Sequence, residues 1–275
     1  MPRETPPGGN DVQSFTRPNV PDPIAMAKRD LSKPLPQRFY KEAVAQERDG
    51  RFVLLLDGRA AKTPSKNDLA LPTLETARAL ASEWAAAGEL IDPALMPLTR
   101  MANSAIDGVA NRLAAVVDEI ARYAGSDLVC YRVREPEALA RAQAAAWDPI
   151  LAFARKKLGA SFICTEGVSF VEQPRPALTA VKEVLTRVAQ SGSAAPFAIA
   201  ALHVMTTLTG SVLIALAVAH GELTPAEAWQ AAHVDEDFEM AAWGQDAEAL
   251  RRRARQWREM EAAATLWQLT AAANV

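Results

Sequence analysis

Cysteine is almost absent from this chain: Cys130 and Cys164 are its only two, and they form neither a C-x-x-C pair nor a framework spacing. A disulfide scaffold is thereby excluded, and two small buried thiols in a reducing, cytosolic compartment are expected. No charge sign dominates either. With 30 Lys plus Arg against 33 Asp plus Glu, the net charge of −3 supplies no positive field, so no nucleic-acid partner is expected. The N-terminus lacks the charged-then-apolar order of a secretory signal and the Arg-rich amphipathic pattern of a presequence, and no Asn-x-Ser/Thr acceptor occurs. A bacterial cytoplasmic protein is the expectation.

The phosphate cradles G-x-x-x-x-G-K-[ST] and G-x-G-x-x-G are missing, as is the G-x-S-x-G nucleophile elbow. The three histidines, His203, His220 and His233, never recur at the i, i+4 spacing that turns two ligands to one side of a helix. His203 reads as a core residue and His220 as a favourable charge at a helix C-terminus. His233, Asp235 and Asp237 lie two apart and so diverge on a helix rather than converge on a cation. No metal and no cofactor are expected.

What the chain does have is apolar content, 49% of 275 residues, which is ample for a buried core. One stretch, Phe197 to Ala219, matches a bilayer span in length. His203, the Thr206-Thr207 pair and Thr209-Gly210-Ser211 interrupt it, and basic anchors flank neither end. It reads as two buried helices, or one broken near Gly210, with no membrane insertion.

Prolines punctuate residues 1 to 36, where few apolar residues accompany them, so a largely disordered tail is expected there. Residues 37 to 108 read as a small α+β domain. Lys41 to Gln46, Arg51 to Leu56 and Arg59 to Thr63 form an antiparallel β-meander turned by Asp49-Gly50 and Asp57-Gly58, and a helix from Leu74 to Ala87, capped by Thr73, covers it. Residues 109 to 275 read as a larger all-helical domain. From Leu98 onward the helices are expected over Leu98 to Asp107, Asn111 to Ala124, Pro136 to Leu158, Ala177 to Gln190, Pro196 to His220, Pro225 to Ala232, Val234 to Trp243 and Ala247 to Ala271. Leu128 to Arg132 and Phe162 to Val171 are candidate strands.

The densest chemistry lies in Asp235-Glu236-Asp237-Phe238-Glu239 leading to Trp243-Gly244 and Asp246, followed by the basic run Arg251 to Arg258. Gly244 permits a turn and Asp246 can cap the next helix. The three adjacent acids have no comparable structural use. They read either as a solvated acidic turn opening a helix or as a negative patch that meets a basic protein partner, where charge steers encounter and register. A carboxylate-based acid/base hydrolase using Glu236 is the enzymatic alternative, and a scaffold for another basic protein is the second.

Six pieces occur in one order: Arg38-Phe39-Tyr40-Lys41; Leu56-Asp57-Gly58-Arg59 with Lys62-Thr63-Pro64; Ser82-Glu83-Trp84; Met96-Pro97-Leu98-Thr99; Cys130-Tyr131-Arg132; and Asp235-Glu236-x-Phe238 leading to Trp243-Gly244. Together they resemble the assembly chaperones for the alpha subunit of the ATP synthase catalytic head, the F(1) sector, of mitochondria and alphaproteobacteria. The resemblance implies a two-domain, non-enzymatic protein that binds the unassembled alpha subunit and prevents its aggregation until the beta subunit replaces the chaperone. Relatives in eukaryotes would act in the mitochondrial matrix. The resemblance maps the sensitive acid to Glu236, with Asp235, Asp237, Phe238, Glu239, Trp243 and Asp246 around it as the partner-binding set. Glu239 and Gln245 depart from the family's Gln and acid at those places. A monomer suffices for such a task.

Overall fold

A computed structural model describes residues 35–167 and 169–271. The expected proline-rich tail falls almost wholly on residues 1–34, outside the described residues.

The chain from Gln37 onward forms one unit that opens with a four-stranded antiparallel sheet. Strand β2 (Arg51–Leu56) is central: β1 (Ala43–Arg48) pairs along one edge, while β3 (Arg59–Ala60) and β4 (Ala70–Leu71) pair along the other. Both turns follow the sequence signals. Asp49 and Gly50 have φ of 51° and 71°, and Asp57 and Gly58 of 47° and 77°, the double positive φ that tight hairpins with native twist require. The Asp57 carboxylate also accepts hydrogen bonds from the backbone N–H groups of Lys41 (3.0 Å) and Glu42 (2.9 Å), pinning the entry of β1.

Helix α1 (Leu74–Ala85) packs on this sheet through Ala77, Leu80 and Ala81. Its cap is Thr73, whose side chain accepts from the Thr76 N–H at 3.1 Å. Two of the sequence motifs meet at its end. Glu83 of α1 accepts from the N–H groups of Leu98 (2.9 Å) and Thr99 (2.8 Å) and so caps α2 (Pro97–Ser104) from outside, while the Trp84 indole N–H donates to Thr99 Oγ1 at 2.9 Å. Arg38 donates to the carbonyl of Ala87 at 2.7 Å, and the Tyr40 hydroxyl donates to that of Trp84 at 2.7 Å. These motifs therefore fasten the sheet to the first helices.

The remaining helices are α3 (Leu113–Arg122), α4 (Glu137–Lys157), α5 (Arg175–Ala189), α6 (Ala195–Thr209), α7 (Val212–Ala219), α8 (Pro225–Ala232), α9 (Val234–Trp243) and α10 (Ala247–Ala271). The expected division near residue 108 falls in the wide π turn Ala105–Val109. There Asp107 accepts from Thr63 Oγ1 (2.6 Å) and Asn67 Nδ2 (2.8 Å), tying the sheet's last loop to the helices.

The apolar run resolves into α6 and α7, separated by Gly210 at φ 67° and restarted by Ser211, whose Oγ accepts from the Ile214 N–H at 3.0 Å. By length and composition Gly192–Thr209 could cross a membrane, yet 61% of it is buried inside the protein, where α10 lies along α6. Asp127, fully buried, accepts from the N–H groups of Val129 (3.3 Å) and Leu213 (3.1 Å) and so serves the starts of two segments at once. That bond turns Leu128–Cys130 into a 3-10 turn rather than the expected strand, leaving only Tyr131–Arg132 as β5. Among the described residues of Phe162 to Val171, only Thr165–Glu166 (β6) pairs, parallel to β5. The amide of Gln173 exchanges bonds with Ile163 N–H (2.9 Å) and C=O (2.8 Å), satisfying backbone that a strand neighbour would otherwise serve. The two thiols also part company: Cys130 is buried, as expected, but Cys164 is exposed.

Candidate partner-docking site

Helix α9 has no fully buried residue and leans on α4. Each acid of its first turn has a different fate. Asp235 Oδ1 accepts from Gln143 Nε2 at 2.7 Å; Gln143 is buried in α4, and its own Oε1 accepts from the Val133 N–H at 2.9 Å. Asp237 pairs with Arg253, whose side chain is only 20% exposed. Both acids thus anchor α9 to the body of the protein, a structural use that needs partners distant in sequence.

Glu236 differs from both. Its side chain is 67% exposed, and the Nε2 of His233 lies 4.0 Å from its Oε2. His233 itself is buried: its Nδ1 lies 2.7 Å from the Trp229 carbonyl oxygen, and its ring stacks on the Trp229 indole at 4.0 Å between centroids. With Nδ1 bonded to a carbonyl, the imidazole directs Nε2 toward Glu236.

Positions 236, 239, 240 and 243 follow the i, i+3, i+4, i+7 rule, so Glu236, Glu239, Met240 and Trp243 share one helical line. Glu236 and Glu239 are exposed, Met240 is partly exposed, and Trp243 is 89% exposed. Phe238, on another side of the helix, is half-buried. Gly244, at φ 94°, ends the helix, and Asp246 Oδ2 accepts from the Ala249 N–H at 2.9 Å, as a cap for α10. Asp246 is therefore a helix cap, and the corner from Ala241 to Glu248 is exposed throughout. Trp243 belongs to the expected partner-binding set, whereas Met240 does not, although the spacing contains it.

An open helix face suits contact with another surface. Glu236 projects from an open helix face; burial pushes upward the carboxyls of Glu83, which caps α2, and of Asp127, raised to about 6 beneath α7. Both hold backbone N–H groups. A large, exposed indole next to two exposed acids is what an interface places on a surface, with an aromatic anchor and charges that set register.

A family model described as ATP12 chaperone protein matches residues 37–155. A candidate chaperone from Agrobacterium tumefaciens is 45% identical, superimposes with a TM-score of 0.82, and aligns over 91% of this chain and 92% of its own. Atp12 from Paracoccus denitrificans is 40% identical at a TM-score of 0.77, over 85% of this chain and 98% of its own. An Asp-to-Lys variant of that protein matches at 39% identity with the same TM-score. With these identities over nearly the whole of each relative, the chain belongs to the ATP12 chaperone family.

Proposed function

We propose that this chaperone binds the unassembled alpha subunit of the ATP synthase F(1) sector through the outer face of α9 and keeps it from aggregating until the beta subunit takes its place. The single observation that carries the reading is the Glu236, Glu239, Met240 and Trp243 line, solvent-exposed at both ends and presented on a helix whose other acids are consumed in holding it still. A free subunit displays an apolar surface meant for its neighbours, which is an aggregation hazard. A small face with one aromatic anchor and a carboxylate pair shields such a surface yet yields to a larger, permanent interface. The contacts fall to Glu236, Glu239 and Trp243, while Asp235, Asp237 and Asp246 position them and Phe238 seats the helix. The protein acts as a monomer in the bacterial cytoplasm, and binding requires no cofactor.

The test is aggregation of purified alpha subunit in the presence of wild-type chaperone or the Glu236→Lys variant. The variant folds natively and loses protection. Protection at wild-type stoichiometry by a folded Glu236→Lys protein refutes the site. Capture from native lysate that recovers a different stable partner and no alpha subunit refutes the client.

A further inference from the structure

The basic run that follows α9 has a separate destination. Arg253 turns toward α9 and pairs with Asp237. At 100° per residue, Arg251, Arg255 and Arg258 fall on the opposite side of α10, one above the next. Arg255 and Arg258 line a cleft with Ala94 of the Pro93–Leu95 turn, Arg100 of α2 and Glu259. Three guanidinium groups thus face one carboxylate, which Arg100 already engages. Among the described residues no acid lies within ion-pair distance of Arg251, Arg252, Arg255 or Arg258, all of them exposed. Arg100 Nε is buried without a hydrogen-bond acceptor, and Leu95, which follows Ala94 in the Pro93–Leu95 turn, is 60% exposed.

Stability does not account for this arrangement. Like charges at i, i+3 and i, i+4 repel, and the cleft's one carboxylate, Glu259, is already engaged by Arg100. The cleft, about 290 Å³, has room for one or two side chains but is smaller than the usual small-molecule site.

We propose that this cleft is a second docking surface, of opposite sign to α9, for a carboxylate-rich protein segment that carries an apolar side chain. The guanidinium forks of Arg255 and Arg258 bind carboxylates bidentately, and Ala94, with the exposed Leu95 next to it in the chain, offers the apolar contact. Phosphate polymers and anionic membranes fit less well. Glu248 heads the same line of α10, Glu259 sits in the cleft, and the whole protein carries a net −3. The site stands apart from α9 and does not depend on which client that helix binds.

The test uses the full-length protein and a fluorescein-labelled peptide of glutamates interspersed with leucines, followed by fluorescence anisotropy. A peptide with glutamine in place of glutamate, a short DNA duplex and phosphatidylserine vesicles serve as the other probes. The glutamate peptide binds, binding weakens with added salt, and it weakens at least about tenfold, roughly 1.4 kcal/mol, in Arg255→Glu/Arg258→Glu and in the milder Arg255→Gln/Arg258→Gln. Glu236→Lys leaves it unchanged. The proposal is overturned by equal binding to either double variant, by equal binding of the glutamine peptide, by no binding of the glutamate peptide, or by tighter binding of DNA or vesicles.

Discussion

Gln143 and Asp235, 92 positions apart, meet at 2.7 Å, and the same buried amide receives the Val133 N–H through its other end. One side chain thereby ties β5's exit, α4 and α9 together. Removing it leaves a backbone donor and a carboxylate without their partner. Gln143→Leu should cost about 1–3 kcal/mol of stability, and Glu236→Ala, on the same helix but exposed, less than about 0.5 kcal/mol. Urea unfolding followed by circular dichroism separates the two, and equal losses would refute the assignment of Asp235 as anchor and Glu236 as contact.

Trp243 provides the complementary case. Because the indole is 89% exposed, Trp243→Ala should shift stability by less than about 0.5 kcal/mol while reducing client protection. Thermal melts and aggregation assays on one preparation check both halves. A large loss of stability would mean that the indole packs against the fold in solution.

Burial without a counter-charge raises Asp127 from the ordinary 3.8 to about 6, its hydrogen bonds from Ser211 and the N–H groups at Leu213 and Val129 only partly opposing the shift. The sign follows from proton counting. Between about pH 4 and pH 6 the folded protein holds this proton and the unfolded chain does not, so Asp127's contribution to stability falls as pH rises through that window. The stability difference between wild type and Asp127→Asn should therefore shift against wild type from pH 4 to pH 6 and then level off. Urea midpoints across that range measure it, and a flat difference would refute the raised value.

Gly210 sits at φ 67° between α6 and α7, with Leu128 Cβ 3.9 Å from where a Cβ would stand. Space is adequate there, so the backbone alone decides. Gly210→Ala should destabilise by about 1–2 kcal/mol through the left-handed conformation, measured by chemical denaturation.

The thiols should react selectively. Burial and the neighbouring Asp127 push Cys130 up to about 12, whereas Cys164 is exposed. Iodoacetamide at neutral pH should alkylate Cys164 in the native protein and Cys130 only after unfolding, as peptide mass spectrometry would show.

Local signals carried much of the architecture. Asp49-Gly50 and Asp57-Gly58 announce hairpins because few other residue pairs accept two positive φ values, and Val234–Trp243 and Ala247–Ala271 are bounded by Gly244 and Asp246, whose effects act within a turn. Leu128–Cys130 defeated the same reasoning. Its β-like residues turn because Asp127 is held by α7, a partner 86 positions away.

By itself the sequence determined the helices, the hairpins and the family resemblance, and it singled out the acidic segment as the candidate docking region, since propensity, turn chemistry and ordered motifs act over a few residues. Only the tertiary structure decided which acids of that region are free. Gln143 takes Asp235, Arg253 takes Asp237, and Asp246 caps α10, leaving Glu236, Glu239 and Trp243 facing outward. It also divided the basic run, turning Arg253 inward and opening a cleft beside Arg255 and Arg258. Pairing and exposure depend on which distant segments arrive alongside, and no window of neighbouring residues contains that information.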